Sequence, residues 1–372
     1  MKTIFFHIGQ TKTATTTLQT FCSKNRGWLA RKGILYPLVP KEHPLKIQHR
    51  FLVQGFHKSK GNFGQIKKDW DFIKQQIDSS KLDKVLISEE VFWHLFANKH
   101  ELRTAAIKWI KNFLSDYDVK LICYLRRQDS WIESWYNQLV KTDVTKLSRM
   151  SIGEFVDFHR DNGMMDYFEV LSDWEKEFGA VNMTVKAFEK GQWLNGDIIE
   201  DFLSLLSIND LRGAFMPDDK QVSLTNPACA FSAVFNRAKG AEAAKTRLQD
   251  MMVRMSENRK NVQRFLPRAV AEKLLSSCAE SNRMVAKQFM QGRTELFDNR
   301  DLANDYEDYP GLSVEELAEI VAYMFIDKQA QLTGHAAPRK PALGNHSKQT
   351  AGIKTKRPAG FNKPPAGKKQ PK

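Results

Sequence analysis

The sequence of 372 residues predicts an α/β fold: a three-layer arrangement with a central parallel sheet, a helical C-terminal part and a disordered basic tail. Short apolar runs alternate with helical patterns as far as residue 206, and strands that alternate with helices form a parallel sheet covered on both faces. From about residue 220 only helical patterns occur. We therefore expect one domain over residues 1–330, with an α/β core to about 210 and a helical part over about 211–330. Residues 331–372 form the tail.

Four apolar, β-prone runs predict the strands of the sheet. The first contains Ile4, Phe5, Phe6 and Ile8 and stops at Gly9. The other three cover residues 84–88, 119–125 and 181–188. Residues 34–40, with two prolines, are expected to be extended.

Apolar residues at helical spacing predict the helices between these strands. The expected helices cover residues 15–32, about 66–77, 99–114, a segment opening after 126, 167–178 and 197–206. Ser151 and Glu154 form a capping-box pattern. The C-terminal helical patterns lie around 231–255, 267–289 and 314–325. Residues 41–63 are polar, glycine-containing and basic, which predicts a solvated loop or, alternatively, a basic wall for an anionic acceptor.

The composition is that of a globular protein, with 42% hydrophobic and 27% charged residues. No run of 18 apolar residues exists, and the N-terminus lacks a signal-peptide core, so we expect a cytoplasmic protein without a transmembrane segment. The four cysteines are scattered and lack metal-ligand spacing, which predicts reduced thiols.

The net charge of +14 is concentrated in the tail. Residues 335–372 contain ten Lys or Arg and no Asp or Glu, which leaves about +4 for the rest of the chain. A body with so little charge needs no polyanionic partner, and we expect no specific nucleic-acid partner. The tail should make only weak, salt-dependent contact with nucleic acid or an anionic membrane surface.

The loop after the first strand, residues 9–16, combines a glycine, Lys12, several threonines and the start of a helix. Such a combination is typical of a phosphate cradle, although an ordinary polar turn is an alternative. In a nucleotide P-loop the lysine directly follows a second glycine, which is not the case here. The loop instead resembles the K-[ST]-G-T-T loop of the sulfotransferases, with Ala14 in place of glycine. That loop grips the 5′-phosphosulfate of the sulfate donor 3′-phosphoadenosine-5′-phosphosulfate (PAPS).

Arg126 stands at the end of the third strand, and Ser134 follows one to two turns into the next helix. A guanidinium and a hydroxyl at this spacing can converge on one phosphate. The pair resembles the R-x7-S element with which sulfotransferases bind the 3′-phosphate of PAPS. Residues 125–138 look like the bacterial, carbohydrate-type branch of that family. The alternative is that the arginine caps strand carbonyls and that the serine is an ordinary surface residue.

The second strand enters Glu89 and Glu90, at the place where sulfotransferases carry a His or Glu base. Glu89 is the first choice because it follows the strand most directly. Strand alternation sends the two carboxylates to opposite sides, so only one can face the site. His94 and His7 are weaker candidates, and His7 is expected to be a hydrogen-bonded residue near the loop.

The resemblance implies a fold that is P-loop-like and a set of roles for these residues. Lys12 would act electrostatically and Glu89 as the base. The donor-binding residues would be Gln10, Thr11, Lys12, Thr13, Ala14, Thr15, Thr16, Arg126 and Ser134. No metal is implied. The acceptor would be a hydroxyl or, as a second choice, an amine of a saccharide or glycolipid.

Three alternatives to an active sulfotransferase stay open at this point. The first is a P-loop-type kinase of small molecules, and the second is a non-enzymatic nucleic-acid-associated protein that uses the tail. The third is a family member that binds the donor without transferring sulfate.

Overall fold

Five parallel strands form the centre of the computed structural model. The structure describes residues 1–332 except 60, 98, 144, 218–221, 239–241, 300–301 and 305. The strands are β1 (Thr3–Gly9), β2 (Ile34–Leu35), β3 (Lys84–Ser88), β4 (Asp118–Leu125) and β5 (Met183–Ala187), in the order β2-β3-β1-β4-β5. The four predicted strands and the parallel sheet are confirmed, and the segment 34–40 contributes only β2.

Strand β1 is the middle strand and pairs on both sides. It is in register with β3 from Thr3 opposite Lys84 to His7 opposite Ser88. On its other side, Thr3 lies opposite Asp118 of β4, and the register shifts between His7 and Gly9. Because the strands are parallel, the carboxyl ends of β1, β3 and β4 meet at one edge of the sheet.

Thirteen helices accompany the sheet in the described part of the chain. They are α1 (Thr15–Lys24), α2 (Arg26–Arg31), α3 (Phe51–Ser59), α4 (Lys67–Ser79), α5 (His100–Phe113), α6 (Gln128–Thr142), α7 (Ile152–Asp161), α8 (Tyr167–Phe178), α9 (Ile198–Leu205), α10 (Asn226–Phe235), α11 (Glu242–Ser256), α12 (Arg268–Phe289) and α13 (Val314–Leu332). The capping box of Ser151 and Glu154 opens α7 as predicted, and Gly179 follows the last residue of α8.

Side-chain alternation along the strands divides the interior into two hydrophobic clusters, one on each face of the sheet. In β1, Ile4, Phe6 and Ile8 belong to the larger cluster, which includes residues of α4, α5, α6 and α8. Phe5 packs against the smaller cluster, which includes residues of α1, α2 and α9. Helices therefore cover both faces and the fold has three layers. All four cysteines are buried and unpaired, consistent with the predicted free thiols.

The single helix predicted over residues 15–32 is two helices that meet at Asn25. The Asn25 side chain donates to the carbonyl of Phe21 at 2.9 Å and to the carbonyl of Phe215 at 2.8 Å. Its Oδ1 accepts from the backbone amide of Phe215 at 2.7 Å. The break follows from this long-range contact, which no local pattern reveals.

The predicted loop over residues 41–63 contains helix α3, so that prediction is wrong for its second half. Phe51, Leu52, Val53 and Phe56 are at most 4% exposed and belong to the larger cluster. The charges that precede and follow them masked the apolar content of the segment. Tertiary burial, more than local propensity, stabilises this short helix.

The chain divides into two compact units, Met1–Phe325 and Ile326–Lys372. The predicted disordered tail falls, from residue 333 onward, outside the described residues. Among the helices that the structure describes, none has the length and apolar character needed to cross a lipid bilayer.

Candidate functional site

The loop segment of residues 9–16, from the end of β1 to the first turn of α1, is held in place by the buried side chain of Gln10. Its Nε2 donates to the hydroxyl of Tyr167 at 2.9 Å, and its Oε1 accepts from the backbone amide of Arg126 at 2.9 Å. The hydroxyl of Thr13, also buried, donates to the Gln10 carbonyl at 2.5 Å. Gln10 and Thr13 therefore hold the loop against the end of β4.

The backbone of this loop contains two residues with positive φ. Lys12 and Ala14 both adopt left-handed conformations, with φ of 66° and 57°. Left-handed residues next to right-handed ones turn successive N–H groups toward one point, an arrangement that binds anions. Helix α1 begins directly afterwards, and Ala14 at its N-cap offers no side chain to cap the first amides. These conformations are compatible with the predicted phosphate cradle, which stays a prediction.

The ammonium group of Lys12 lies near several charged groups at this edge of the sheet. Its Nζ is 3.5 Å from Oε1 of Gln138. Burial, with the positive charges of Lys141 and Arg126, lowers the pKa of Lys12 to about 8, and Glu90 opposes this shift. A bound anion would relieve this repulsion.

Glu90 is the carboxylate that faces the loop. Its Oε2 accepts a hydrogen bond from the hydroxyl of Thr15. Burial and the neighbouring charge of Glu89 raise the pKa of Glu90 to about 7, while Arg50 and Lys12 oppose the shift. A carboxyl with a pKa near neutrality is suited to proton transfer.

Gly9 allows the close approach of β1 to Glu90. Its φ is +107°, and a Cβ at this position would lie 2.7 Å from the carbonyl oxygen of Glu90. Only glycine satisfies both the conformation and the contact.

Glu89 does not face the loop and is fully buried, away from solvent. Its Oε1 accepts from Nε of Arg50 at 2.7 Å and from the backbone amide of Val91 at 3.0 Å. Its Oε2 is buried without a hydrogen-bond partner among the described residues. Burial raises the pKa of Glu89, and the charge of Arg50 opposes that shift. As expected from strand alternation, the two carboxylates point differently, and the one that faces the loop is Glu90.

The two histidines occupy different environments. His94, in the short 3₁₀ turn Glu90–His94, has its Nε2 2.8 Å from the hydroxyl of Thr11 and stacks on Trp135 at 5.5 Å between ring centroids. His7 is buried in β1 with its Nδ1 2.9 Å from the hydroxyl of Ser88, and burial lowers its pKa to about 3. The prediction that His7 is a hydrogen-bonded residue near the loop is confirmed.

Arg126 and Ser134 line one cavity of about 250 Å³ between α6 and the C-terminal part. The guanidinium of Arg126 donates to the carbonyl of Lys12 at 3.2 Å and to the hydroxyl of Ser130 at 3.2 Å. Ser134 lies on α6 and is half-buried. The structure thus brings the two predicted residues together, directly beside the loop.

The same cavity contains Glu133, whose charge would repel an anion if it were unpaired. Nε of Arg264 donates to this carboxylate at 2.6 Å, and the backbone amide of Phe265 donates at 2.5 Å. Arg264 is therefore a second cation in the cavity wall that the sequence did not indicate. Its signal was weak because it lies 130 residues after Ser134 and outside every recognised pattern.

Thr16, the last of the threonines predicted to bind the donor, is half-buried in the first turn of α1.

One side-chain group among the described residues has metal-ligand character, the set of His100, Glu169 and Asp173. The guanidinium of Arg103 donates to both carboxylates at 2.6 Å. One internal cation therefore already pairs with both carboxylates.

No family model matches the sequence. Over 146 residues the chain is 30% identical to an uncharacterized protein of Archaeoglobus fulgidus, a match that covers 39% of this chain and 34% of that protein. The chain thus spans about a third of the length of this curated relative. Among solved structures, a sulfotransferase from Alicyclobacillus acidocaldarius is similar over 78% of this chain and 96% of its own, with 14% identity and a TM-score of 0.41. A likeness of this extent does not identify an activity, so the function has to be argued from the residues of this chain.

Proposed function

We propose that the protein is a PAPS-dependent sulfotransferase that moves a sulfuryl group to a hydroxyl, or as a second choice an amine, of a saccharide or glycolipid. One observation carries the proposal. The loop of Lys12 lies between a carboxylate of raised pKa, Glu90, and a cavity that holds Arg126 and Ser134. The loop would bind the 5′-phosphosulfate of the donor, and the cavity would bind its 3′-phosphate. The carboxylate would take the proton of the acceptor.

The residues fit the donor in two places. The left-handed conformations at Lys12 and Ala14 and the amides at the start of α1 suit the 5′-phosphate, with Gln10, Thr11, Thr13, Thr15 and Thr16 completing the loop. Arg126 and Ser134 suit the 3′-phosphate, since they offer charged and neutral donors to one cavity. The two proposed subsites would be adjacent, and the hydrogen bond from Arg126 to the Lys12 carbonyl supports this part of the proposal.

The donor, when bound, supplies a sulfuryl group attached to a phosphate oxygen. Lys12 would stabilise negative charge on that oxygen as its bond to sulfur breaks. A carboxylate would accept the proton of the acceptor hydroxyl as its oxygen attacks sulfur in line. A sulfuryl group carries less negative charge than a phosphoryl group, and the proposal therefore includes no metal.

We assign the base to Glu90, although Glu89 was the first choice on sequence grounds. The Glu90 side chain is 15% exposed and that of Glu89 0%. Glu90 also contacts Thr15 of the donor loop, whereas Glu89 contacts Arg50 and the backbone of Val91. An acceptor hydroxyl can reach the first carboxylate and not the second.

The saccharide or glycolipid acceptor, the bacterial carbohydrate-type branch and a cytoplasmic location are proposals that rest on the sequence alone. The sequence left open that segment 41–63 forms a basic wall for an anionic acceptor. Near the centre of this segment, however, Arg50 forms an ion pair with Glu89 of the same chain. Weak contact between the basic tail and a membrane surface stays a prediction. The same holds for the division into a domain over 1–330 and a tail.

Calorimetric binding of adenosine 3′,5′-bisphosphate in EDTA tests the donor site. We expect it to bind more tightly than ADP, which lacks the 3′-phosphate, and we expect Arg126→Ala to remove the preference. Arg31→Ala, an exposed arginine on α2, is the matched control. Equal binding of both nucleotides by the wild type would overturn the assignment of Arg126 and Ser134.

Transfer is tested with sulfur-labelled PAPS and a panel of saccharides, again in EDTA. Label in a saccharide that depends on Lys12 supports the proposed enzyme. Activity that requires Mg²⁺ and a nucleoside triphosphate would favour the kinase instead. Removal of residues 335–372 should leave transfer intact, and loss of function on this truncation would favour the nucleic-acid-associated alternative.

A further inference from the structure

A partly buried ion pair lies behind the carboxylate that faces the loop. Nε of Arg50 and Oε1 of Glu89 are 2.7 Å apart, and Nη2 of the same guanidinium is 3.6 Å from Oε1 of Glu90. One arginine therefore touches both carboxylates. The other oxygen of Glu90 accepts from Thr15, so the carboxylate is held from two sides.

The backbone fixes Arg50 in this position. The preceding residue, His49, donates its amide to the carbonyl of Ser88 at 3.1 Å, and its Nδ1 accepts from the amide of Ser88 at 3.1 Å. His49 is fully buried, and its Nε2 is 3.2 Å from the carbonyl of Pro37. Arg50 is thereby attached to the last residue of β3, next to Glu89.

The position of Arg50 is unfavourable for helix stability. It directly precedes α3, which begins at Phe51, and a positive charge at a helix N-terminus opposes the helix dipole. An ion pair with one buried partner, here Glu89, also contributes little net stability, because desolvation of that partner offsets the attraction. Stability therefore does not explain why Arg50 and Glu89 are paired at this position.

We propose that Arg50 and Glu89 are positioning residues: Glu89 anchors the guanidinium, and the guanidinium holds the Glu90 carboxylate toward the donor loop. This inference rests on the proposed function only in assigning Glu90 as the base. Neither Arg50 nor Glu89 needs to touch the substrates.

The charges that face Glu90 are Glu89 on the same turn, Arg50 before α3 and Lys12 in the loop. Glu89 raises the affinity of Glu90 for its proton, whereas Arg50 and Lys12 lower it. Removing one member of the pair should therefore shift the titration of Glu90 in one direction, and removing the other should shift it in the opposite direction. General damage to the fold would not produce two opposite shifts.

The test is a carboxyl-carbon NMR titration of protein labelled at glutamate, combined with the pH dependence of transfer. The Glu90 signal is assigned by its loss in Glu90→Gln. We expect Glu89→Gln to move the titration of Glu90 down by about one pH unit and Arg50→Met to move it up by about one, the lower end of the shift that a nearby charge produces. The acid limb of kcat should move with it, and KM for PAPS should change less than twofold.

Lys58→Met is the matched control, since it removes an exposed cation from α3. It should leave both readouts unchanged. If Glu89→Gln fails to fold, Arg50→Lys replaces it: this variant keeps the charge, loses the second donor and should lower kcat about tenfold with little shift.

Shifts in the same direction, or no shift in folded variants, would overturn the positioning role. If the wild type does not bind the bisphosphate but the two opposite NMR shifts are present, the proposed function is rejected. The effect of Arg50 and Glu89 on the Glu90 carboxylate would then still hold. The two failures are therefore distinguishable.

Discussion

The proposed enzyme should work within a narrow pH range, because two groups with neighbouring pKa values must be in opposite states. Glu90, with a pKa of about 7, has to lose its proton, so activity falls as pH drops below 7. Lys12, with a pKa of about 8, has to keep its proton, so activity falls as pH rises above 8. The result is a bell-shaped profile of kcat/KM.

The two pKa values set the size of the effect. With independent titration, about 60% of the protein is in the active state near pH 7.5 and about 9% near pH 6 or pH 9. We therefore expect kcat/KM to fall about sevenfold on either side. The measurement is transfer from labelled PAPS at constant ionic strength, from pH 5.5 to 9.5.

Two variants identify the residue responsible for each limb of the pH profile. Glu90→Gln should abolish most of the activity and remove the acid limb from what is left. Lys12→Arg should move the basic limb beyond the measured range, since a guanidinium does not lose its proton there. A wild-type profile that is flat from pH 6 to 9, or an acid limb that persists in Glu90→Gln, would refute the reasoning.

Three further variants test the backbone and the cavity. Gly9→Ala should lower stability to urea by about 1–3 kcal/mol, since its Cβ would lie 2.7 Å from the Glu90 carbonyl at a φ of +107°, whereas Gly27→Ala, with no contact under 3.9 Å, should be neutral or slightly stabilising. Ala14→Gly should raise stability by up to about 1 kcal/mol, because it relieves a left-handed conformation at φ 57°, and an unchanged or lower urea midpoint would contradict this. Ser134→Ala should weaken calorimetric binding of the 3′,5′-bisphosphate about fivefold to tenfold, the value of one hydrogen bond, while affinity for ADP stays constant.

Much of the fold could be predicted because its signals are local. The apolar runs of β1, β3, β4 and β5 are short and bounded by polar residues, which is how buried parallel strands read. The order of motifs also placed the loop, Glu89, Glu90 and Arg126 at strand ends. Parallel pairing then brings strand ends together whatever the order of strands.

The rest could not be predicted because it depends on contacts between distant residues. Arg50 looked like one more solvated cation, and its partner Glu89 lies 39 positions away. Helix α3 was missed because basic residues surround it, although four of the six residues from Phe51 to Phe56 are apolar. Arg264 entered the cavity wall through its pair with Glu133, a contact over 131 positions.

The central place of β1 has a consequence for synthesis. This strand precedes both of its neighbours in the chain, since β3 begins at Lys84 and β4 at Asp118. At translation rates of about 5–20 residues per second, roughly 6–23 seconds pass between the emergence of β1 and that of β4. During that interval the apolar strand β1 has an unpaired edge, which is a template for aggregation. Nascent chains stopped before residue 118 should therefore depend on chaperones more than the finished protein does.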